Sequence, residues 1–377
     1  MKIIKIIIIT FSIIFSLVYA LDLEYFVKGI RVVYMNGQST VFIDDLNYFD
    51  FETIKSNSKK SPWAESKNKV VSFSKDFEDY NMEMGTAAYL VIYKDTIIAE
   101  KYYEGYSSVS STNSFSMAKT FISILMGKAL EQGYINSLDD SVISYIPELK
   151  GKFASQVKVI DLATMTSGLE WDEGTSNPFS PVAKQYFYKD VVGLMLDQPF
   201  IDMPGVKFHY SSGNTQILST LIERATGRKI SEMFENEIWQ KIDPDQDAYW
   251  QIDSENYRNT KSFCCFHSNA RDFARLGKLF LNNGDWEGNQ VIDSSFIIRS
   301  KKPYLETFND YGIGVWLSKY KDLNISLMSG HQGQYIIMIP EKDMIITRLG
   351  QRDIDLGRPG VSPDVFKYID YALELLN

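Results

Sequence analysis

The chain has 377 residues, of which 45% are hydrophobic, and its formal net charge is −9 at pH 7. That length and apolar content are enough for a sizeable core in one large domain or in two interleaved domains. The acidic balance, without a basic stripe carrying interleaved aromatic residues, argues against nucleic-acid binding. With only 3 histidines and no P-loop, G-x-G-x-x-G or H-E-x-x-H string, the sequence implies no histidine-rich metal site and no organic cofactor.

Residues 1–20 have the pattern of a secretory signal peptide. Lys2 and Lys5 precede an apolar run at 6–18, and the segment ends in the small residue Ala20. The apolar run, at about 15 residues, is shorter than the ~20 residues that a membrane-spanning helix needs. The sequence therefore predicts a protein exported to the periplasm or secreted, with an uncleaved membrane anchor as the alternative.

Residues 21–80 are predicted to form an N-terminal extension to the main domain. Two short strands are expected at 30–33 and 40–43, on either side of a turn at Asn36-Gly37, and a charged, serine-rich loop at 55–69. This extension either braces a sheet or shapes a groove.

The rest of the chain, 81–377, has strands at both ends and a helical middle. An antiparallel hairpin is predicted from 87–93 and 97–103, and a mostly helical subdomain at about 130–300, with helices at 215–226 and 269–281. Late strands are predicted at 312–317, 325–328, 335–339 and 344–347, before an amphipathic helix at 365–376. This order indicates an antiparallel sheet completed by segments distant in the sequence.

Ser116 and Lys119 stand at the start of an apolar helical stretch. Three residues apart on a helix, they share a face, so the lysine amine can reach the serine hydroxyl. Serine is a weak nucleophile that needs a neighbouring base, and lysine can be that base only where burial lowers its pKa. The alternative is a simple helix N-cap. Other pairs with this spacing lie in polar stretches or beside turns: Ser56/Lys59, Ser66/Lys69, Ser72/Lys75, Ser155/Lys158 and Ser318/Lys321.

Two further segments carry candidate site residues. Tyr210 follows a Pro-Gly turn and precedes a helix, where a phenol near an ammonium group could shuttle protons. His331 belongs to the run 330–334 (Gly-His-Gln-Gly-Gln), which enters a strand whose edge N–H could bind an oxyanion. The alternatives are a tyrosine that packs its ring in the core and a histidine on a surface loop.

The two cysteines, Cys264 and Cys265, are adjacent in the chain. Consecutive Cα atoms are about 3.8 Å apart, less than the ~4.4–6.8 Å that a disulfide prefers. The spacing favours two thiols on a strand over a strained vicinal bridge, and we assign them no function.

Taken in order, the Ser-x-x-Lys pair, Tyr210 and the His331 segment resemble the β-lactamase-related serine hydrolases. That family includes class C β-lactamases, DD-peptidases, esterases and 6-aminohexanoate-dimer hydrolase-like enzymes. The stretches 162–171 and 269–277 also look like the family's. The resemblance implies an α/β fold of the β-lactamase/transpeptidase type. In that fold, terminal helices flank a central antiparallel sheet, and a helical subdomain completes the site.

The resemblance also implies roles for individual residues. Ser116 would be the acyl-accepting nucleophile and Lys119 its activating partner. Tyr210 would act as general base in acylation and as proton donor to the leaving group. The backbone N–H groups of Ser116 and Gln334 would form the oxyanion hole. His331 stands where penicillin-recognising members carry the lysine of Lys-Thr-Gly.

Two departures from the family pattern bear on the substrate. The family's Tyr-x-Asn ends in Ser212 here, with Asn214 two residues further on, and neutral His331 lacks the permanent charge of lysine. Ser212, Asn214, Gln332 and Gly333 are the candidate substrate-binding residues. Both departures favour an esterase or amidase with a small-molecule or peptide-like acyl substrate over a β-lactamase or DD-peptidase.

Two other classes of protein remain open. A fold relative without activity could bind peptidoglycan or a partner protein. A Ser-His-Asp hydrolase could use His331 or His209 as base, although the chain has no G-x-S-x-G nucleophile elbow.

Overall fold

The structure is a computed structural model that describes residues 5, 10, 16–59, 61–175, 177–354 and 360–376. Most of the predicted signal peptide lies outside the described residues. Within these ranges, no helix combines the length and the hydropathy needed to cross a membrane.

Helices and strands are numbered here in chain order. The helices are α1 (Glu24–Val32), α2 (Lys75–Glu83), α3 (Ala118–Glu131), α4 (Val159–Ala163), α5 (Pro181–Phe187), α6 (Val191–Leu196), α7 (Ser212–Thr226), α8 (Ile230–Glu237), α9 (Ala270–Leu281), α10 (Ser294–Ser300) and α11 (Pro363–Glu374). The strands are β1 (Phe51–Ile54), β2 (Ala64–Val70), β3 (Thr86–Tyr93), β4 (Thr96–Tyr102), β5 (Thr112–Asn113), β6 (Ala248–Gln251), β7 (Phe266–Ser268), β8 (Asp285–Trp286), β9 (Asn289–Gln290), β10 (Trp316–Tyr320), β11 (Leu323–Gly330), β12 (Gln334–Ile339) and β13 (Met344–Gly350).

A seven-stranded sheet in the order β10-β11-β12-β13-β3-β4-β2 forms the centre of the fold. The β13–β3 pair joins the late strands to the early hairpin, which confirms the predicted sheet of distant segments. Helix α9 covers one face of the sheet, while α2 and α11 cover the other. Strands buried on both faces have continuous apolar sequences, which is why the sequence predicts β3 and β12. At Gly277 an added Cβ would lie 2.7 Å from Ile336, so α9 packs closely on the sheet.

The N-terminal extension departs from its predicted structure. Residues 24–32 form α1 rather than leading into a strand, because Tyr25 and Val32, seven residues apart, share one buried helix face. No strand forms at 40–43. The predicted loop at 55–69 ends in β2, which pairs with β4 in parallel, so the sheet is not wholly antiparallel.

The helical middle also contains strands that the sequence did not predict. β1, β6, β7 and β5 form a second sheet in that order, with β1 contributed by the N-terminal extension. The extension therefore braces both sheets.

The prediction of two thiols was wrong, because the structure joins Cys264 and Cys265 in a disulfide. The pair lies in a turn before β7 rather than on a strand, and Cys265 takes a positive φ of 73° there.

Candidate active site

Ser116 lies on the 3-10 turn Phe115–Met117, which leads directly into α3. Phe115 has a φ of 44°, an unusual conformation for a residue with a side chain and one often found at functional sites. Neighbouring strands hold this turn. The Ser114 N–H donates to Phe266 O at 2.8 Å, and the Phe115 N–H donates to Asn113 Oδ1 at 2.9 Å. The hydroxyl is therefore presented by a fixed backbone.

Lys119 lies one turn after Ser116 and is buried. Its Nζ donates to Ser116 Oγ at 2.8 Å and to Phe263 O at 3.0 Å. Burial lowers the pKa of Lys119 to about 8, although the negative charge of Glu173 acts in the opposite direction. Near neutral pH a useful fraction of this amine is unprotonated, as a general base requires.

Tyr210 reaches the same place from the segment before α7. The Lys119 Nζ lies 5.1 Å from the centre of the Tyr210 ring, and the side chains of Tyr210 and Ser116 share a hydrogen bond. Trp316 packs against the Tyr210 ring with the two centroids 5.4 Å apart. Burial and the charge of Glu173 raise the pKa of Tyr210, and the hydrogen bond to Ser116 opposes them less strongly. A raised pKa favours the neutral phenol, and the role of Tyr210 as base in acylation stays a prediction.

The turn between β11 and β12 brings His331 beside Phe115, the residue before Ser116. At Gly330 an added Cβ would lie 2.2 Å from Ser114 O, so only glycine permits this approach. The rings of His331 and Phe115 meet edge to face with their centroids 5.6 Å apart. Gln334 pairs with Gly330 in the β11–β12 ladder, which places its backbone at the start of β12.

Three predicted substrate-binding residues have side chains that make hydrogen bonds within the protein. Ser212 is buried and donates from Oγ to Glu173 Oε1 at 2.5 Å, while Asn214 is buried and accepts from Ser167 Oγ at 2.6 Å. Gln332 donates from Nε2 to Val41 O at 2.8 Å. These contacts orient the three side chains, and their role in substrate binding stays a prediction.

At Gly333 an added Cβ would lie 2.0 Å from Nη1 of Arg348. No side chain fits at this position, so Gly333 can contribute only backbone to a ligand.

Arg348, on β13, supports the β11–β12 turn through hydrogen bonds to its backbone. It is fully buried, and its Nη1 donates to the carbonyl oxygens of Gln332 and Gly333, both at 2.8 Å. Its Nη2 donates to Met84 O at 2.6 Å and to Thr86 Oγ1 at 3.2 Å. Sequence reasoning missed this residue. The sequence feature that could have indicated it is a single cationic residue in a mostly apolar strand.

Glu173 is the second residue that sequence reasoning missed. Its Oε2 accepts from the Ser212 N–H at 2.8 Å, so the carboxylate caps the start of α7, and it also accepts from Trp171 Nε1. Its charge acts on both Lys119 and Tyr210. The residue lies just beyond the family-like stretch 162–171, which was the available signal.

Replacing Arg348 by methionine is expected to lower the free energy of unfolding by ~3 kcal/mol or more, because several buried carbonyl groups lose their donor. Urea denaturation measures this effect. Arg352→Met is the matched control, since Arg352 is exposed and donates to Glu83 O at 3.2 Å on the surface. Equal loss of stability in both variants would contradict a supporting role for Arg348.

The mixed sheet with its covering helices and its helical region has the architecture of the hydrolases of the serine β-lactamase fold. Solved structures share the architecture. A Bacillus anthracis protein provisionally named 6-aminohexanoate-dimer hydrolase superposes with a TM-score of 0.73 at 20% identity, covering 88% of this chain and 91% of its own. A family VIII carboxylesterase has a TM-score of 0.59 at 16% identity, covering 80% of this chain and 96% of its own.

Sequence comparison leads to the same class. The 6-aminohexanoate-dimer hydrolase of Paenarthrobacter ureafaciens is 24% identical over 298 residues, which cover 73% of this chain and 74% of that protein. The family model described as Beta-lactamase matches residues 75–360. The chain belongs to the Beta-lactamase family, whose members of this fold include esterases, amidases and DD-peptidases.

Proposed function

We propose that the protein is an exported serine hydrolase that cleaves an ester or amide bond through an acyl-enzyme on Ser116. One observation carries the proposal. The amine of Lys119 lies 2.8 Å from Ser116 Oγ, in surroundings that lower the pKa of Lys119 to about 8. The combination of short distance and lowered pKa is what a lysine base requires.

In the proposed acylation step, neutral Lys119 takes the proton of Ser116 as Oγ attacks the substrate carbonyl. The bond to the leaving group then breaks, and Tyr210, a neutral phenol, donates its proton to that group and recovers one from Lys119. The backbone N–H groups of Ser116 and Gln334 are assigned to the oxyanion, where donors aimed at developing charge are worth most. In deacylation, neutral Lys119 takes a proton from water as the water oxygen attacks the acyl carbonyl, the bond to Ser116 Oγ breaks, and Oγ receives that proton from Lys119.

The substrate is proposed to be an ester or amide without a carboxylate that needs a permanent cation. The supporting observation is His331, which occupies the position beside Phe115 where a lysine would otherwise bring a fixed charge. The alternative substrates are penicillins and peptidoglycan peptides. Hydrolysis of a cephalosporin faster than of simple esters would favour that alternative.

Export is proposed from residues 1–20 alone. N-terminal sequencing of protein recovered outside the cytoplasm is expected to begin at Leu21. An intact N terminus on membrane-bound protein would instead support the uncleaved anchor.

The proposal is tested by labelling the purified mature protein with a fluorophosphonate and mapping the adduct by mass spectrometry. We expect the adduct on Ser116. The peptide containing Ser72 is the internal control, because Ser72 and Lys75 repeat the spacing in an exposed position. No adduct and no turnover of p-nitrophenyl acetate would favour the alternative of an inactive relative that binds peptidoglycan or a partner.

A further inference from the structure

A largely apolar cavity of about 380 Å³ lies between the N-terminal extension and α5. Its volume is typical of pockets that bind small molecules. The walls come from α1, the segment 39–41 and α5, and they include Tyr25, Ile30, Val33, Val182, Ala183 and Phe187. Tyr34 is exposed at the cavity while Val33 is buried, so the space reaches from the surface into the interior.

Two polar groups beside this cavity make hydrogen bonds within the protein. The Tyr186 hydroxyl donates to Asp45 and accepts from Asn113 Nδ2 at 3.1 Å, which leaves its ring for the cavity. The Val41 carbonyl accepts from Gln332. A ligand therefore finds apolar surface here and few hydrogen-bonding partners, which favours a hydrocarbon chain over a charged or sugar-like group.

His331 lies between the cavity and the neighbour of Ser116. This residue lines the cavity, and its ring meets that of Phe115, the neighbour of the nucleophile. One residue, Asn113, makes hydrogen bonds both toward the cavity wall and toward the turn that carries Ser116. Asn113 donates to Asp45 Oδ1 at 3.0 Å and accepts from the Phe115 N–H at 2.9 Å.

We propose that this cavity binds the apolar chain of the substrate, so that the enzyme prefers esters or amides with an extended hydrocarbon chain. The inference rests on the proposed function and adds a specificity site built by the N-terminal extension. Each methylene group that enters such a cavity is expected to raise kcat/KM about fourfold. The chain belongs either to the acyl group or to the alcohol or amine, since both adjoin the reacting carbonyl.

Two substrate series test the proposal and show whether the hydrocarbon chain belongs to the acyl group or to the leaving group. p-Nitrophenyl esters from acetate to octanoate vary the acyl side, and alkyl acetates from ethyl to octyl vary the alcohol side. We expect kcat/KM to rise with chain length in one series. A flat dependence in both series, with acetate turned over normally, would overturn the proposal.

Filling the cavity gives the second readout. Ala183→Phe is expected to lower kcat/KM for the favoured long-chain ester at least tenfold and to leave p-nitrophenyl acetate within about twofold. Ala64→Phe is the matched control, because Ala64 is exposed on the edge strand β2. Thr40→Phe fills the cavity from the opposite wall if Ala183→Phe does not fold.

Equal losses for short and long esters in a folded variant that still reacts with the fluorophosphonate would refute the cavity as the chain site. Absence of labelling and of acetate turnover in the wild type would instead refute the proposed function, and this inference with it.

Discussion

Ser116→Ala is expected to abolish fluorophosphonate labelling and to lower kcat/KM for p-nitrophenyl esters by about 10³-fold or more, as removal of a serine nucleophile does in other hydrolases. The physical reason is that the methyl group of alanine cannot form an acyl-enzyme, while the proposed oxyanion donors and the binding site remain. The residual rate measures what positioning alone contributes.

Ser72→Ala is the control for this substitution. Ser72 has a lysine three residues on, yet both side chains are exposed, so turnover should stay at the wild-type value. Ser116→Ala is also expected to unfold at the wild-type urea concentration within error, because it removes only the hydroxyl contacts with Lys119 and Tyr210. Undiminished turnover in Ser116→Ala would place the nucleophile elsewhere and exclude the proposed mechanism.

The central sheet could be predicted because its strands are buried on both faces. β3, β12 and β13 are mostly apolar, so their positions do not depend on knowing their partners. β2 could not be predicted in this way. Its sequence, AESKNKV, is polar and charged, as an edge strand exposed to solvent tolerates, and only the pairing with β4 makes it a strand.

The candidate site shows a similar division. The helical spacing of Ser116 and Lys119 could be predicted locally, because one turn of α3 determines it. Arg348 and Glu173 could not, since each acts through contacts with segments distant in the chain. Ser212 shows the converse: its place beside Tyr210 suggested a ligand contact, whereas the fold directs its hydroxyl to Glu173.

Burial of Lys119 lowers stability at the proposed active site. Burying the amine of Lys119 without a carboxylate within hydrogen-bonding distance disfavours the charged form, and this is what lowers its pKa. A side chain chosen for stability alone would be apolar here. Stability is thus given up for reactivity, as is common in active sites.

Lys119→Met is therefore expected to separate the two properties. It should lower kcat/KM for p-nitrophenyl esters by about 10³-fold, as base removal does in Ser-His-Asp enzymes, because the raised pKa of Tyr210 keeps the other neighbour of Ser116 protonated. The free energy of unfolding at pH 7 should equal or exceed that of the wild type, since methionine fills similar space without a charge to desolvate. Wild-type turnover after this substitution would instead support a histidine base.

The pH dependence of the wild type completes the test. Because the unprotonated amine is the active form and the pKa of Lys119 is about 8, kcat/KM should rise with pH and level off above pH 8. Below that value the rise should approach tenfold per pH unit. A base of the histidine type, with an ordinary pKa near 6.5, would level off more than one pH unit lower. A profile already flat at pH 7 would therefore exclude Lys119 as the base, whatever the effect of its substitution.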